Sequence, residues 1–171
     1  MEKLMIRATT IPQDSEIRKY LAKAHLYDAF EVPADTSKRS ALEIYIDILA
    51  ATPAWVNRLM AARNRIVTLF GLKNLGRLNN VDTSKTPDAY KVGDHVGIFT
   101  ILFLSDREVV LVESDKHLDA RVSIYKTSGA QGGSAVMSTA IQVNNLMGQA
   151  YLLVVWPLHK LIVPALLARS R

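Results

Sequence analysis

The feature that most constrains this chain is its last segment. From about Asn145 to Ala168 nearly every position is apolar, including Leu146, Tyr151, Leu152, Val155, Trp156, Ile162, Val163 and Leu167. A surface helix buries one stripe, so a helix that is apolar on several faces calls for more than one neighbour. The segment approaches the ~20 residues that span a bilayer, yet His159 and Lys160 lie in its middle beside Pro157. A lysine at mid-bilayer costs about 2.5 to 3.5 kcal/mol, which argues against a span. The expectation is a helix with one face on a β-sheet of the same domain and another completing the core. Contact with a membrane surface, with Arg169 and Arg171 near anionic headgroups, and a homodimer contact are the alternatives for its remaining surface.

The sheet that such a helix needs is legible upstream. Val96 to Leu104 is a nearly continuous apolar run, Glu108 to Glu113 is a Val/Leu strand, and Ser105-Asp-Arg fits the hairpin between them. From His117 to Lys126 the pattern alternates, with Leu118, Ala120, Val122 and Ile124 on one face and His117, Asp119, Arg121, Ser123 and Tyr125 on the other. Gly129 to Gly133 reads as a turn, and Ala135, Met137, Thr139, Ile141 and Val143 form the apolar face of a last strand. Short connections make these strands an antiparallel meander, because parallel neighbours need long crossovers. His25 to Val32, ending at Pro33, reads as a first strand at the sheet edge.

Between the first strand and the meander lie two helices. Ser40-Ala-Leu-Glu43 is a capping box followed by the stripe Leu42, Tyr45, Ile46 and Leu49. The second helix has Thr52 as cap, Pro53 in the first turn and Gly71 at its end. Its expected buried face is Val56, Leu59, Met60, Ile66, Val67 and Phe70, with Asn57, Arg58, Asn64 and Arg65 opposite. Pro12 to Leu21 suggests a short helical turn, and Leu72 to Asp94 an irregular loop able to cover a cavity. The fold class is therefore α+β in the order β-α-α-β-β-β-β-α. A four- or five-stranded antiparallel sheet packs on the long last helix in one domain over residues 1–171.

Composition removes several function classes. Hydrophobic residues at 49% exclude wholesale disorder, and with no cysteine there is no disulfide or thiolate chemistry. The first residues, Met1 to Arg7, lack a secretory leader pattern, so the cytoplasm is expected. The net charge of +5 is spread out. Its densest group, Arg58, Arg63 and Arg65 followed by Lys73 and Arg77, does not interleave with aromatics and reads as a solvated helix face. No nucleic-acid partner is expected. His25, His95, His117 and His159 are dispersed without metal-ligand spacing, and neither a phosphate loop nor a Gly-x-Ser-x-Gly elbow occurs. No metal and no cofactor are expected.

Two candidate sites remain. A helix laid across a sheet leaves space for an apolar small molecule, and the expected lining is Leu118, Val122, Ile124, Met137, Ile141, Tyr151, Val155 and Trp156. On the other strand face Asp115, His117, Asp119 and Arg121 recur at every second position, about 7 Å apart. There His117 and Asp119 would serve as acid/base and Arg121 as an anion holder. A solvated polar face is the plainer reading of the same alternation.

Several ordered blocks carry a family resemblance. Tyr27-Asp-Ala-Phe, Thr52-Pro-Ala-Trp-Val-Asn-Arg-Leu-Met, Val92-Gly-Asp-His-Val-Gly-Ile-Phe, Asp115-Lys-His-Leu-Asp-Ala-Arg-Val-Ser and Trp156-Pro-Leu-His-Lys-Leu-Ile-Val resemble the bacterial family called domain of unknown function 2867. The element order is similar to START-like (SRPBCC) helix-grip folds, whose members include lipid carriers and polyketide cyclases. That resemblance implies a protein holding an apolar ligand between sheet and C-terminal helix. Its alternatives are a cyclase- or dehydratase-type enzyme and a membrane-associated lipid-binding protein. Some relatives are joined to a nicotinamide-dependent reductase-like domain. This chain has no dinucleotide fingerprint, so such a partner would be separate.

Overall fold

Alternating apolar residues and turn glycines produce one antiparallel sheet in the computed structural model, which describes residues 6–129 and 132–169. Its strands are β1 (Arg7–Ala8), β2 (Leu26–Pro33), β3 (His95–Val96), β4 (Phe99–Leu104), β5 (Glu108–Ser114), β6 (Leu118–Gly129) and β7 (Gly132–Val143). In space they run β1-β2-β7-β6-β5-β4-β3. The helices are α1 (Ala41–Ala50), α2 (Ala54–Thr68) and α3 (Leu146–Leu167), with 3-10 turns at Glu16–Lys23 and Pro87–Ala89. The start at Met1 to Met5, the turn centre Ala130-Gln131 and the terminal Arg171 lie outside the described residues.

The helix-grip-like α+β class holds, with two short strands added to the expected order. One comes from splitting the Val96–Leu104 run. Gly97 takes φ +63°, so Gly97-Ile98 turns the chain between paired Val96 and Phe99, as glycine does at the first central position of a type II′ hairpin. A Cβ at Gly97 would stand 2.7 Å from the Leu78 carbonyl oxygen, so the turn also needs glycine for close packing. The other addition, β1, pairs with Glu31 and Phe30. It therefore replaces β2 at the edge where β2 was expected.

Strand β2 pairs along its whole length with β7, from Leu26 opposite Ile141 to Pro33 opposite Ser134. The chain then leaves β2 into α1, which lies over β5 and β6, while α3 leaves β7 and lies over β2 and β7. Capping starts both helices. The Ser40 hydroxyl accepts from the Glu43 N–H, the Glu43 carboxyl accepts from the Ser40 N–H, and the Asn145 side chain accepts from the Gly148 N–H. The main core fills the layer between, with Val32, Leu42, Tyr45, Ile48, Leu111, Ile124 and Leu167 among its buried members.

The second face of the sheet is not the solvated surface that alternation suggested. Residues 9–24 cross it, and Ile11 and Ile17 pack with Ala29, Val110, Val136 and Ala140, joined by Tyr20 and Leu21. Buried Glu108 ties this segment down. Its carboxyl accepts from the Ser15 hydroxyl at 2.5 Å, the Glu16 N–H at 2.8 Å and the Ser123 hydroxyl at 2.6 Å.

Helix α2 departs from its expected faces. Val56 and Val67 are buried, but Ile66 and Phe70 are 58% and 59% exposed, while Asn64 is buried. The Asn64 side chain donates to the Gly76 carbonyl and accepts from the Leu75 N–H, so the returning loop covers the flank that periodicity gave to polar residues, and Ile66 and Phe70 are left on the open side. Thr52 does not cap this helix. Pro53 holds the cap position, and the Thr52 hydroxyl donates to the Leu49 carbonyl. Gly71, at φ +72°, ends the helical region as expected.

Replacing Glu108 by alanine strands two hydroxyls and one backbone N–H in the second core. Urea denaturation should show a loss of about 3 kcal/mol. A variant as stable as the parent would show that this carboxyl does not anchor the N-terminal segment.

Candidate ligand cavity

A cavity of about 180 Å³ lies between the sheet, α1 and α3. Strands β6 and β7 supply its floor through Leu118, Ala120, Val122, Met137, Thr139 and Ile141, because these positions alternate toward the helical layer. Tyr45, Ile48 and Leu49 of α1 and Tyr151, Leu152, Val155, His159 and Val163 of α3 form the opposite side. Leu72, Leu75 and Leu78 close part of the wall. The 72–94 segment thus packs its leucines inward although it has little regular structure.

Six of the expected lining residues stand in this wall: Leu118, Val122, Met137, Ile141, Tyr151 and Val155. The other two do not. Ile124 is fully buried in the main core, since its strand position lies beyond the cavity. Trp156 packs beside Ile141, Val143 and Leu152, with its ring stacked on His159 at a centroid distance of 5.0 Å.

The polar atoms of the wall are few and distinctive. The Tyr45 hydroxyl and the Thr139 hydroxyl are buried without a hydrogen-bond partner among the described residues. Burial alone pushes the Tyr45 phenol far above its ordinary pKa, so it stays protonated. Across the β2–β7 pairing Thr139 sits opposite Asp28, and Asp28 meets His159 of α3 with Nε2 3.2 Å from its carboxyl. His159 itself lies in the cavity wall. At another part of the wall Arg63 donates through Nε to the Tyr151 hydroxyl at 2.9 Å and through Nη1 to the Lys73 carbonyl at 2.8 Å. Lys73 is in turn paired with Glu113 at 2.8 Å. No group of three or more potential metal ligands occurs among the described residues.

None of His117, Asp119 and Arg121 lines the cavity. His117 precedes β6, and its ring turns to the start of α3, where Nδ1 lies 3.1 Å from Asn145 Oδ1 and Nε2 is buried without a partner. Asp119 is held by the Ser114 hydroxyl and by Arg121 Nη2, the latter at 3.2 Å. The Arg121 guanidinium lies 4.5 Å from the Tyr20 ring centroid, under the N-terminal segment. The ladder is thus divided among the cavity wall, where Asp115 stands, a helix cap and a covered sheet face, because the turn at Asp115 breaks the alternation. Asp115 Oδ1 makes that turn by accepting from the N–H groups of His117 and Leu118. Gly148 lets α3 start here, since a Cβ would come within 2.2 Å of the His117 carbonyl oxygen.

Sequence reasoning missed Tyr45, Thr139 and Asp28 as site residues. A signal existed for two of them. Asp28 and Thr139 are polar residues at positions whose strand neighbours, Leu26 and Phe30 or Met137 and Ile141, face inward. Tyr45 gave none, because its ring satisfies an apolar stripe whether or not the hydroxyl has work to do.

Fold and cavity together define a class: an α+β protein with a mainly apolar cavity between an open antiparallel sheet and its C-terminal helix. The chain belongs to the family described as protein of unknown function (DUF2867), whose model matches residues 20–166. No curated protein and no solved structure matches it. Helix α3 is the one helix among the described residues long and apolar enough to cross a membrane, and 22% of that stretch is buried.

An unpartnered buried hydroxyl costs free energy in the empty protein, and Thr139→Val removes it without changing shape. The variant should be more stable to urea by about 1 kcal/mol. A comparable loss would mean that the hydroxyl has a partner within the fold.

Proposed function

We propose that the protein binds a small, mainly apolar molecule in the cavity, in the manner of START-like helix-grip proteins. The observation that carries this reading is a mainly apolar cavity bearing two unpartnered hydroxyls, Tyr45 and Thr139. Buried polar groups are paired in more than roughly 90% of cases, so two orphans in the wall of one cavity suit a guest that completes them. Volume sets the size of that guest. An apolar cavity of about 150 Å³ accepts benzene, and about 180 Å³ here suits a single substituted ring better than a long acyl chain. The Tyr45 and Thr139 hydroxyls can each donate to an oxygen on that ring.

Phenol and benzene are suitable probes. Titrated to 100 times its dissociation constant, a bound probe raises stability by about 2.7 kcal/mol, which thermal denaturation reads directly. Phenol should bind more tightly than benzene, and Ala120→Phe, which fills the floor, should abolish both effects while the variant still folds. Failure of either probe to stabilise the parent protein, with no small-molecule adduct in native mass spectrometry, would remove the reading.

A second reading, an enzyme of the cyclase or dehydratase type, is favoured by one observation. Asp28 engages His159 Nε2, which leaves Nδ1 of a neutral ring with a lone pair and hence a base beside the cavity. Deuterium exchange into the methyl group of acetophenone in heavy water, followed by NMR, tests it. The protein should accelerate exchange and His159→Gln should not; equal rates for the two would leave a binding protein only.

A further inference from the structure

The basic cluster in and after α2 is unexplained by the cavity. Between Asp47 and Asp82 the chain has no acidic residue, and Arg58, Arg63, Arg65, Lys73 and Arg77 account for the whole formal net charge of +5. Elsewhere the two signs balance. Arg63 and Lys73 are engaged at the cavity wall, whereas Arg58, Arg65 and Arg77 have no acidic partner among the described residues. Arg58, Arg65 and Ile66 border one surface with Ala61 and Ala62, which the helical repeat extends to Leu69.

This charged surface is also greasy. Leu69 is 82% exposed, Ile66 and Phe70 near it are exposed too, and Trp55 is exposed at the start of the helix. Exposed aliphatic and aromatic side chains among unpaired arginines are the composition of helices that lie in a membrane interface. Phosphate on a nucleic acid satisfies the arginines but gives Leu69 and Ile66 nothing to enter. A second copy of this chain would set cation against cation. An anionic bilayer meets both needs at once.

We propose that the exposed face of α2, with Leu69 and Phe70 at its end, docks on an anionic lipid surface. Ile66, Leu69 and Phe70 enter the headgroup boundary, and Arg58, Arg65 and Arg77 meet lipid phosphates. The chain continues from this face into Leu72, Leu75 and Leu78 of the cavity wall, so docking places the cavity beside the membrane. The docking itself does not depend on what the cavity holds.

Flotation with vesicles of equal parts phosphatidylglycerol and phosphatidylcholine tests this, with pure phosphatidylcholine vesicles as the comparison. The protein should float with the anionic vesicles only, and added salt should weaken the association. At about 1 kcal/mol per basic residue near such a surface, the double variant Arg58→Gln/Arg65→Gln should bind about 30-fold more weakly. Leu69→Ser/Phe70→Ser should also release the protein, and Leu153→Ser/Val154→Ser on the outer face of α3 should not. All these positions are exposed, and circular dichroism verifies that each variant is folded. The proposal is overturned if the anionic vesicles do not bind the protein, if the α3 variant releases it and the α2 variants do not, or if a DNA oligonucleotide binds more tightly than the vesicles. Sedimentation showing a dimer that Leu69→Ser/Phe70→Ser dissociates would likewise overturn it.

Discussion

Pairing of β2 with β7 is the constraint on which the rest of the structure depends. These strands lie more than a hundred residues apart in the chain yet run in register from Leu26–Ile141 to Pro33–Ser134. Closing so long a loop carries an entropic cost that local structure cannot meet, so the pairing has to be supported by burial on both faces. It receives that support from α3 above and from Ile11, Ile17 and their neighbours below. Once β2 is in place, α1 and α3 leave adjacent strands on the same side, and the gap between them becomes the cavity.

The same pairing sets the cavity's chemistry. It brings Asp28 opposite Thr139 and beneath His159, three residues from three distant parts of the chain. In an apolar surround a charged or polar group interacts more strongly than in water and costs more when left alone. The protein spends one such cost on the Asp28–His159 contact, which is paired, and two more on Tyr45 and Thr139, which are not. Fully apolar replacements would make a quieter core, and both hydroxyls stand in the wall of the same cavity.

The sheet's second face shows how a strand pattern misleads. Asp119, Arg121 and Ser123 alternate with apolar residues just as on a strand open to water. Here Ser123 helps to hold Glu108, and Arg121 lies against Tyr20, because residues 9–24 return across that face. The polar side chains are in effect the joinery of a covered layer. Alternation reports which residues share a face, and it is silent on what lies above it. Helix α2 errs in the opposite direction: Ile66 and Phe70 have the spacing of a core stripe, but the loop packs on the Asn64 flank and leaves them exposed.

Elements whose causes are local were legible in the sequence. The capping box of α1, the Asn145 start and apolar character of α3, the terminal Gly71 and the meander after Phe99 all follow from neighbours a few residues apart. Most of the cavity floor followed too, since Leu118, Val122, Met137 and Ile141 are fixed by strand alternation once a helix is known to cover them. The tertiary structure alone decided that His117, Asp119 and Arg121 part company, that His159 finds Asp28, and that α2 turns Leu69 and Phe70 outward. Those outcomes depend on which distant segment arrives at a given face, and the free energy of that choice is spread over many weak contacts that no short stretch of sequence contains.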